Sequence, residues 1–241
     1  MKAVQKRKKG KAEEVRLLTR EFLLKADCKT AFGEIEESLL WTSEQRAASL
    51  AATLACRPDN SPVWIFGYGS LMWNPVFDAE EVAAATLRGW HRAFCLRLTA
   101  GRGTAQQPGR MLALKEGGAT SGLAFRLPDA RLHEELELLW KREMVTGCYL
   151  PSWRELTLKD GRQVTALVFI MDPRHPLYEA DTCSTTIAPL IAHASGPLGT
   201  NAQYLFSLAQ ELHQRGMEDR ALSDLARQVR ELQVAHHGLQ G

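Results

Sequence analysis

The stretch VWIFGYGSLMW, residues 63–73, decides how the rest of the chain is interpreted. Its apolar run Val63–Phe66 is typical of a buried β-strand, and Gly67 and Gly69 interrupt that run before Leu71 resumes it. Glycines at the end of a strand mark places where a ligand or another backbone approaches closely. The stretch therefore predicts a strand that ends in a glycine-flanked turn.

The chemistry of this turn is narrowed by what it lacks. A dinucleotide fingerprint needs a third glycine, a phosphate-binding P-loop needs Gly-Lys-Ser/Thr, and a serine nucleophile elbow needs G-x-S-x-G. None of these patterns is present. Two interpretations remain: a concave nest of backbone N–H groups for an oxygen anion or polarised carbonyl, or a tight turn with Tyr68 packed inside.

The composition narrows the class of protein. The chain has 241 residues, 45% of them hydrophobic, which is enough for one domain with an extension. A net charge of +2 does not predict a nucleic-acid partner. Five widely spaced cysteines without a C-x-x-C pair predict free, mostly buried thiols in a reducing compartment, and the sequence has no run as apolar and long as a membrane span. We expect a cytoplasmic protein that does not bind a membrane.

The order of elements predicts an α+β fold. Residues 1–60 are expected to be a basic tail and a helical extension, and residues 61–235 a single domain. In the extension, helices are predicted at Glu13–Lys25 and Arg46–Cys56, the second with a capping box at Thr42 and Gln45. Strands are predicted at 63–67, 93–98, 111–115, 121–127, 153–158 and 163–170, with a turn at Lys115–Gly118. Helices are predicted at 129–143, 184–195, 200–214 and 217–233. Strands that come in succession, with helices massed at the end, favour a sheet or small barrel.

A second informative stretch is LLWKREMVTGCY, residues 138–149. Its apolar residues have helical spacing, and Glu143 falls at the end of that helix, before a break at Gly147. A carboxylate next to Trp140, Met144 and Tyr149 would be poorly solvated, which raises its pKa and suits it to general acid–base catalysis. The alternative is a solvated Glu143 paired with Arg142 or Lys141.

Five stretches together resemble the ChaC family of glutathione-specific γ-glutamylcyclotransferases. They are FGYGSLMWNP (66–75), LRGWHRAFCL (87–96), GRGTAQQPGRMLAL (101–114), LLWKREMVTGCY (138–149) and IAPLIAHASGPLGTNAQYLFSL (187–208). The resemblance implies a γ-glutamylcyclotransferase-like mixed β-barrel with flanking helices. It also implies cleavage of glutathione to 5-oxoproline and cysteinylglycine, with no cofactor, no metal and no obligatory protein partner.

The resemblance also implies a set of site residues. The catalytic glutamate of the family corresponds to Glu143, and the turn Tyr68, Gly69, Ser70 and Leu71 corresponds to the loop that binds the γ-glutamyl group. Arg102 or Arg110 is a candidate for the glycyl carboxylate, because a guanidinium matches carboxylate geometry. Tyr204 either closes the pocket or packs in the core.

Two other functions remain open at this point. One is a regulatory protein, linked to cation transport, that binds γ-glutamyl compounds without cleaving them. The other is a cyclotransferase for other γ-glutamyl amino acids or amines, since a fold does not decide its substrate.

Overall fold

The computed structural model describes residues 18–25 and 32–238. The strands are β1 (Trp64–Gly67), β2 (Glu81–Leu98), β3 (Gly109–Arg126), β4 (Tyr149–Leu158), β5 (Gln163–Met171), β6 (Ser195–Gly196) and β7 (Gly199–Thr200). The helices are α1 (Arg20–Leu24), α2 (Ser43–Ala55), α3 (Leu132–Glu143), α4 (Ser184–His193), α5 (Asn201–Gln214) and α6 (Arg220–Gly238). Short 3-10 turns lie at Glu37–Leu39, Ser70–Met72 and Asp129–Arg131.

Five strands close into a barrel in the order β1-β3-β2-β4-β5. Strand β1 lies antiparallel to β3, with Gly67 opposite Leu123, and parallel to β5, with Trp64 opposite Ala166. All four residues of β1 are buried, which explains its uninterrupted apolar run. Because β1 is enclosed on both faces, the glycine turn that follows it opens at one end of the barrel core.

The long hairpin of β2 and β3 differs from the prediction. The sequence predicted a turn at Lys115–Gly118, but β3 continues through this region opposite β2. Gly117 and Gly118 have φ values of 109° and 66°, which glycine adopts readily, and they lie where the register with β2 shifts. The glycines therefore form a β-bulge within a strand rather than a turn between two strands.

The predicted helices after residue 128 are confirmed, with shifted ends. The first begins as a 3-10 turn at Asp129–Arg131 and becomes α3 at Leu132, and the last begins at Arg220 rather than residue 217. Helix α5 begins with a capping box between Thr200 and Gln203. Helices α4, α5 and α6 contact one another and cover the barrel from one side.

The N-terminal elements pack onto the barrel domain. The predicted capping box of α2 is present: the Thr42 side chain accepts a hydrogen bond from the Gln45 backbone N–H, and the Gln45 side-chain oxygen accepts one from the Thr42 backbone N–H. The Trp140 indole N–H donates to Ser49 Oγ (3.2 Å), and the Trp153 indole N–H donates to the Thr53 carbonyl (2.8 Å). The division of the chain near residue 60 remains a prediction from the sequence.

The predicted helix Glu13–Lys25 is described only from residue 18, and there the helix spans Arg20–Leu24. The basic tail and Cys28 lie outside the described residues. Over residues 18–25 and 32–238, no helix is both long enough and apolar enough to cross a membrane.

Candidate active site

A cavity of about 200 Å³ opens at the end of the barrel where β1 stops. Three stretches from the domain core line it: the glycine turn 68–74, the loop 96–102 and the segment 142–149. Their side chains come from distant parts of the sequence, and α5 adds Tyr204. The structure therefore brings together every candidate site residue in the cavity except Arg110.

The glycine turn is shaped by two close contacts. A Cβ atom at Gly67 would lie 2.9 Å from the Phe125 ring, and a Cβ atom at Gly69 would lie 2.9 Å from the Tyr204 hydroxyl. Immediately after Gly69, the chain forms the 3-10 turn Ser70–Met72, in which the Met72 N–H donates to the Gly69 carbonyl (2.9 Å). Glycine is required here because other parts of the fold press against the backbone.

Tyr68 has a structural hydrogen bond. Its hydroxyl donates to the Phe169 carbonyl on β5 (2.6 Å), and burial raises the pKa of Tyr68 well above its ordinary value. The Tyr68 carbonyl accepts a hydrogen bond from Arg92 Nε (2.8 Å), whose guanidinium is buried. Tyr68 lines the cavity, but its hydroxyl proton is directed to the barrel wall.

Glu143 lies at the last residue of α3, with its side chain 17% exposed, and lines the cavity. Burial raises the pKa of Glu143, and the neighbouring Arg142 charge opposes this shift. The sequence offered a poorly solvated Glu143 or a solvated Glu143 paired with Arg142 or Lys141, and the structure combines parts of both. The carboxylate pairs with Arg142, whose Nε lies 3.0 Å from Glu143 Oε1. This pair lies at the cavity rather than on a solvated face.

Arg142 joins Glu143 to the glycine turn. Its side chain is 4% exposed, Nη2 donates to Ser70 Oγ (2.8 Å), and Nη1 donates to the Asn74 carbonyl. Because the N–H donors of a guanidinium have a fixed planar geometry, Arg142 holds the Glu143 carboxylate, the Ser70 hydroxyl and the Asn74 carbonyl in one arrangement. The sequence analysis treated Arg142 only as a possible partner of Glu143, because its contacts with the turn span 68 and 72 residues.

The structure separates the two candidate arginines for a carboxylate. Arg102 lines the cavity, Nη1 donates to the Thr200 carbonyl (3.0 Å), and burial lowers the pKa of Arg102. Arg110 does not line the cavity, and its Nη2 lies 3.4 Å from Glu179 Oε2. Of the two candidates, only Arg102 therefore lies at the cavity.

Tyr204 combines both roles that the sequence left open. It is buried on α5, its ring packs on Trp73 with centroids 5.6 Å apart, and its hydroxyl lies against Gly69. Burial raises the pKa of Tyr204, so the hydroxyl stays protonated. It belongs to the core and also to the cavity wall.

Sequence analysis missed part of the cavity wall. Leu18, Phe32 and Ile35 line the cavity, although they precede the domain predicted to hold the site. Cys148 also lines it, and burial raises the pKa of this thiol to about 12, so it remains uncharged near neutral pH. The segment around Phe32 has no helical or strand period, and its role emerges only from tertiary packing.

Comparisons with known proteins show which family the chain belongs to. A family model described as ChaC-like protein matches residues 63–232. The chain is 72% identical over 216 residues to the glutathione-specific γ-glutamylcyclotransferase of Escherichia coli (strain K12), covering 90% of this chain and 94% of that protein. It is 36% identical over 154 residues to glutathione-specific γ-glutamylcyclotransferase 1 of Danio rerio, covering 62% and 79% respectively.

A solved structure supports the fold. The crystal structure of a γ-glutamylcyclotransferase specific to glutathione from yeast superposes with a TM-score of 0.67 at 24% identity, covering 74% of this chain and all of that one. The α+β fold with a γ-glutamylcyclotransferase-like mixed barrel, predicted from the sequence, is confirmed. The family match extends over most of the chain, and the bacterial relative aligns along nearly its whole length. On these grounds, the chain belongs to the ChaC-like family.

Proposed function

We propose that this protein is a glutathione-specific γ-glutamylcyclotransferase with Glu143 as its proton-transfer group. The observation that carries the proposal is the placement of Glu143, poorly solvated and held by Arg142, beside the glycine turn in one cavity. It is the only acidic side chain lining that cavity among the residues that the structure describes. The names of the bacterial and fish relatives supply the substrate, glutathione.

The reaction closes a five-membered ring within the substrate. The α-amine nitrogen of the γ-glutamyl group attacks the γ-amide carbonyl carbon, and the bond from that carbon to the cysteinyl nitrogen breaks. The products are 5-oxoproline and cysteinylglycine. Because the attack is intramolecular, holding the substrate folded back on itself supplies much of the rate.

Glu143 is suited to the first proton transfer. The substrate amine is an ammonium group near neutral pH and must lose a proton before it attacks. A carboxylate whose pKa is raised by burial accepts that proton more readily than a solvated one. Arg142 keeps the carboxylate in place by the contact from Nε to Oε1.

The same group serves the second transfer. Once protonated, Glu143 can give its proton to the cysteinyl nitrogen as the tetrahedral intermediate collapses. The attacking nitrogen must also lose a second proton to become the lactam N–H. Glu143, again a carboxylate, accepts that proton and passes it to the cysteinyl amine, which leaves as an ammonium group. Both protons lost by the attacking nitrogen therefore reach the leaving nitrogen through one carboxyl, which ends as the starting carboxylate.

The glycine turn supplies backbone donors to the γ-glutamyl group. The first N–H groups of a helical turn have no partner within that turn, and here they belong to residues at the start of Ser70–Met72. Because Ser70 and Leu71 line the cavity, we assign these donors to either the developing oxyanion or the α-carboxylate. Each such donor is worth about 3 kcal/mol when it stabilises an oxyanion.

Arg102 is placed for the other end of the substrate. It lies on the loop that follows β2, lines the same cavity as Glu143, and lacks an ion-pair partner among the described residues. We assign it to the glycyl carboxylate. A cytoplasmic location, predicted from the cysteines, would place the enzyme with reduced glutathione.

The test is product analysis with the purified, metal-stripped protein. Reduced glutathione should give 5-oxoproline and cysteinylglycine in equal amounts, and γ-glutamyl-alanine should react much more slowly. Binding of glutathione without either product would instead support the regulatory function. Equal turnover of both substrates would support a broader γ-glutamylcyclotransferase.

A further inference from the structure

The segment Phe32–Trp41, which we name the strap, lies outside the family match of residues 63–232 and yet forms part of the cavity. Phe32 and Ile35 both line it. The strap leads into α2, which is anchored on α3 by its contact with Trp140 and on β4 of the barrel by its contact with Trp153. Its position therefore follows from a packed helix rather than from a free terminus.

One end of the strap is hydrogen-bonded to the loop that carries Arg102 and packs against it. The Gly101 N–H donates to the Phe32 carbonyl (2.6 Å), and the Leu198 N–H donates to the Gly101 carbonyl (2.8 Å). A Cβ atom at Gly101 would lie 3.2 Å from Phe32 Cδ1 and 3.5 Å from Leu198 Cδ1. The loop is held between two apolar side chains, and Arg102 is the next residue.

The other end of the strap is hydrogen-bonded to the segment that follows Glu143 and packs against it. The Trp41 N–H donates to the Val145 carbonyl (2.9 Å), and the Trp41 ring occupies the place of a Cβ atom at Gly147, 1.9 Å from its nearest ring atom. The strap therefore spans from the residues after the proposed proton-transfer group to the residue before the proposed carboxylate ligand.

The position of the strap corresponds to the place where cysteinylglycine, the leaving half of the substrate, would lie in the cavity. The cysteinyl nitrogen must lie near Glu143 to receive its proton, and the glycyl carboxylate lies at Arg102 in the proposed function. The cysteinyl side chain falls between these two points, where Phe32, Ile35 and Leu198 present apolar surface. A thiol is weakly polar and packs well on such surface.

We infer that Phe32 and Ile35 of the strap are specificity-determining residues, which contact the cysteinyl part of the leaving dipeptide and favour glutathione over other γ-glutamyl compounds. The inference rests on the proposed function, because it assigns a role within that reaction. It extends the site into a region that the family match does not include.

The experiment compares kcat/KM for glutathione with kcat/KM for γ-glutamyl-alanine, both followed by 5-oxoproline release. The two substrates share the γ-glutamyl group and differ only beyond the scissile bond. Phe32→Ala should lower the ratio of the two values about tenfold, since lost apolar contact in a pocket has effects of this order. Ile35→Ala should lower the ratio in the same direction.

Controls separate contact from folding. Leu24→Ala changes an exposed leucine of α1, 52% exposed and outside the cavity, and should leave the ratio unchanged. Phe32→Leu keeps apolar surface at this position and should retain most of the wild-type ratio of kcat/KM values. This variant keeps the test decisive even if Phe32→Ala folds poorly. Circular dichroism establishes the folded fraction of each variant.

The outcomes are distinct. An unchanged ratio in both alanine variants, whether the two activities fall together or not at all, would overturn the inference and give the strap a purely structural role. A wild-type protein that releases no 5-oxoproline from glutathione would instead overturn the proposed function, whatever the variants do.

Discussion

Helix α3 carries a fully buried glutamate, Glu135, and a partly buried one, Glu143, in different surroundings. Glu135 is 0% exposed, and both of its carboxylate oxygens have partners. Arg20 contacts the two oxygens at 2.5 and 3.0 Å. The Asp78 N–H donates to the carboxylate at 3.1 Å, and Arg131 lies 3.5 Å from it. Glu143, eight residues later, is 17% exposed, pairs only with Arg142 among the cations of the described residues, and lines the cavity.

The two environments distinguish a structural carboxylate from the proposed proton-transfer group. Glu135 joins α1, α3 and the chain after β1, and its four contacts leave little room for another partner. Glu143 retains access to the cavity, and burial raises its pKa despite the adjacent Arg142. Burial alone therefore does not make a carboxylate a candidate for proton transfer; burial combined with access to a cavity does.

The largest expected effect on stability is at Glu135. Glu135→Gln removes the negative charge on which Arg20 and Arg131 converge. We expect unfolding free energy to fall by about 3 kcal/mol, at the low end for a broken buried pair because both arginines are partly exposed. Urea denaturation measures it, with Glu137→Gln on the exposed side of α3 as control. Unchanged stability would show that the Glu135 contacts contribute nothing.

The next largest effect is on turnover. Glu143→Asp keeps the carboxyl but withdraws it by one methylene, and a displacement of this size costs about a hundredfold in rate. Steady-state release of 5-oxoproline measures kcat, and thermal unfolding should differ little from wild type. A rate equal to that of wild type would mean that the position of this carboxyl is unimportant for catalysis.

A smaller effect concerns pH. Burial raises the pKa of Glu143 and Arg142 opposes that shift, so Arg142→Met should raise the pKa further. The base form appears as pH rises through this pKa, so the acid limb of the kcat/KM profile should move to higher pH. The control Lys141→Met, at the exposed neighbouring position, should leave the limb in place. A limb that moves to lower pH in Arg142→Met would contradict this electrostatic account.

The smallest expected effect is at Tyr68. Tyr68→Phe removes the hydrogen bond to the Phe169 carbonyl and should cost about 1 kcal/mol in unfolding free energy. Turnover per folded molecule should change little, because the hydroxyl points to the barrel wall. Tyr178→Phe, outside the cavity, is the matched control. A large loss of kcat with normal stability would assign the Tyr68 hydroxyl to the substrate.

The parts of this site that the sequence predicts are those encoded locally. The strand and glycine turn at 63–73 are visible because a short apolar run and two glycines leave few alternatives, and Glu143 is visible because apolar helical spacing surrounds it. The resemblance of five stretches in order then implied the barrel, which pairs strands too distant in sequence for local patterns to predict.

The parts that the sequence does not predict depend on long-range packing. Whether Glu143 faces solvent or a cavity depends on the glycine turn, which Arg142 contacts from the end of α3. The long strand β2 was predicted only at 93–98, because its first half alternates irregularly between buried and exposed positions. The strap has neither period nor motif, so only its contacts with Gly101 and Val145 reveal it.

The assignment of Glu143 as the proton-transfer group is tested most directly by comparing variants of Glu143 and Glu135. Release of 5-oxoproline from reduced glutathione is measured for Glu143→Gln and Glu135→Gln, each normalised to its folded fraction. The account predicts that Glu143→Gln loses at least about a thousandfold in kcat, within the range for general acid–base catalysis, while Glu135→Gln stays near the wild-type rate. Full activity in Glu143→Gln, or an equal loss in both variants, would contradict the assignment of Glu143 as the proton-transfer group.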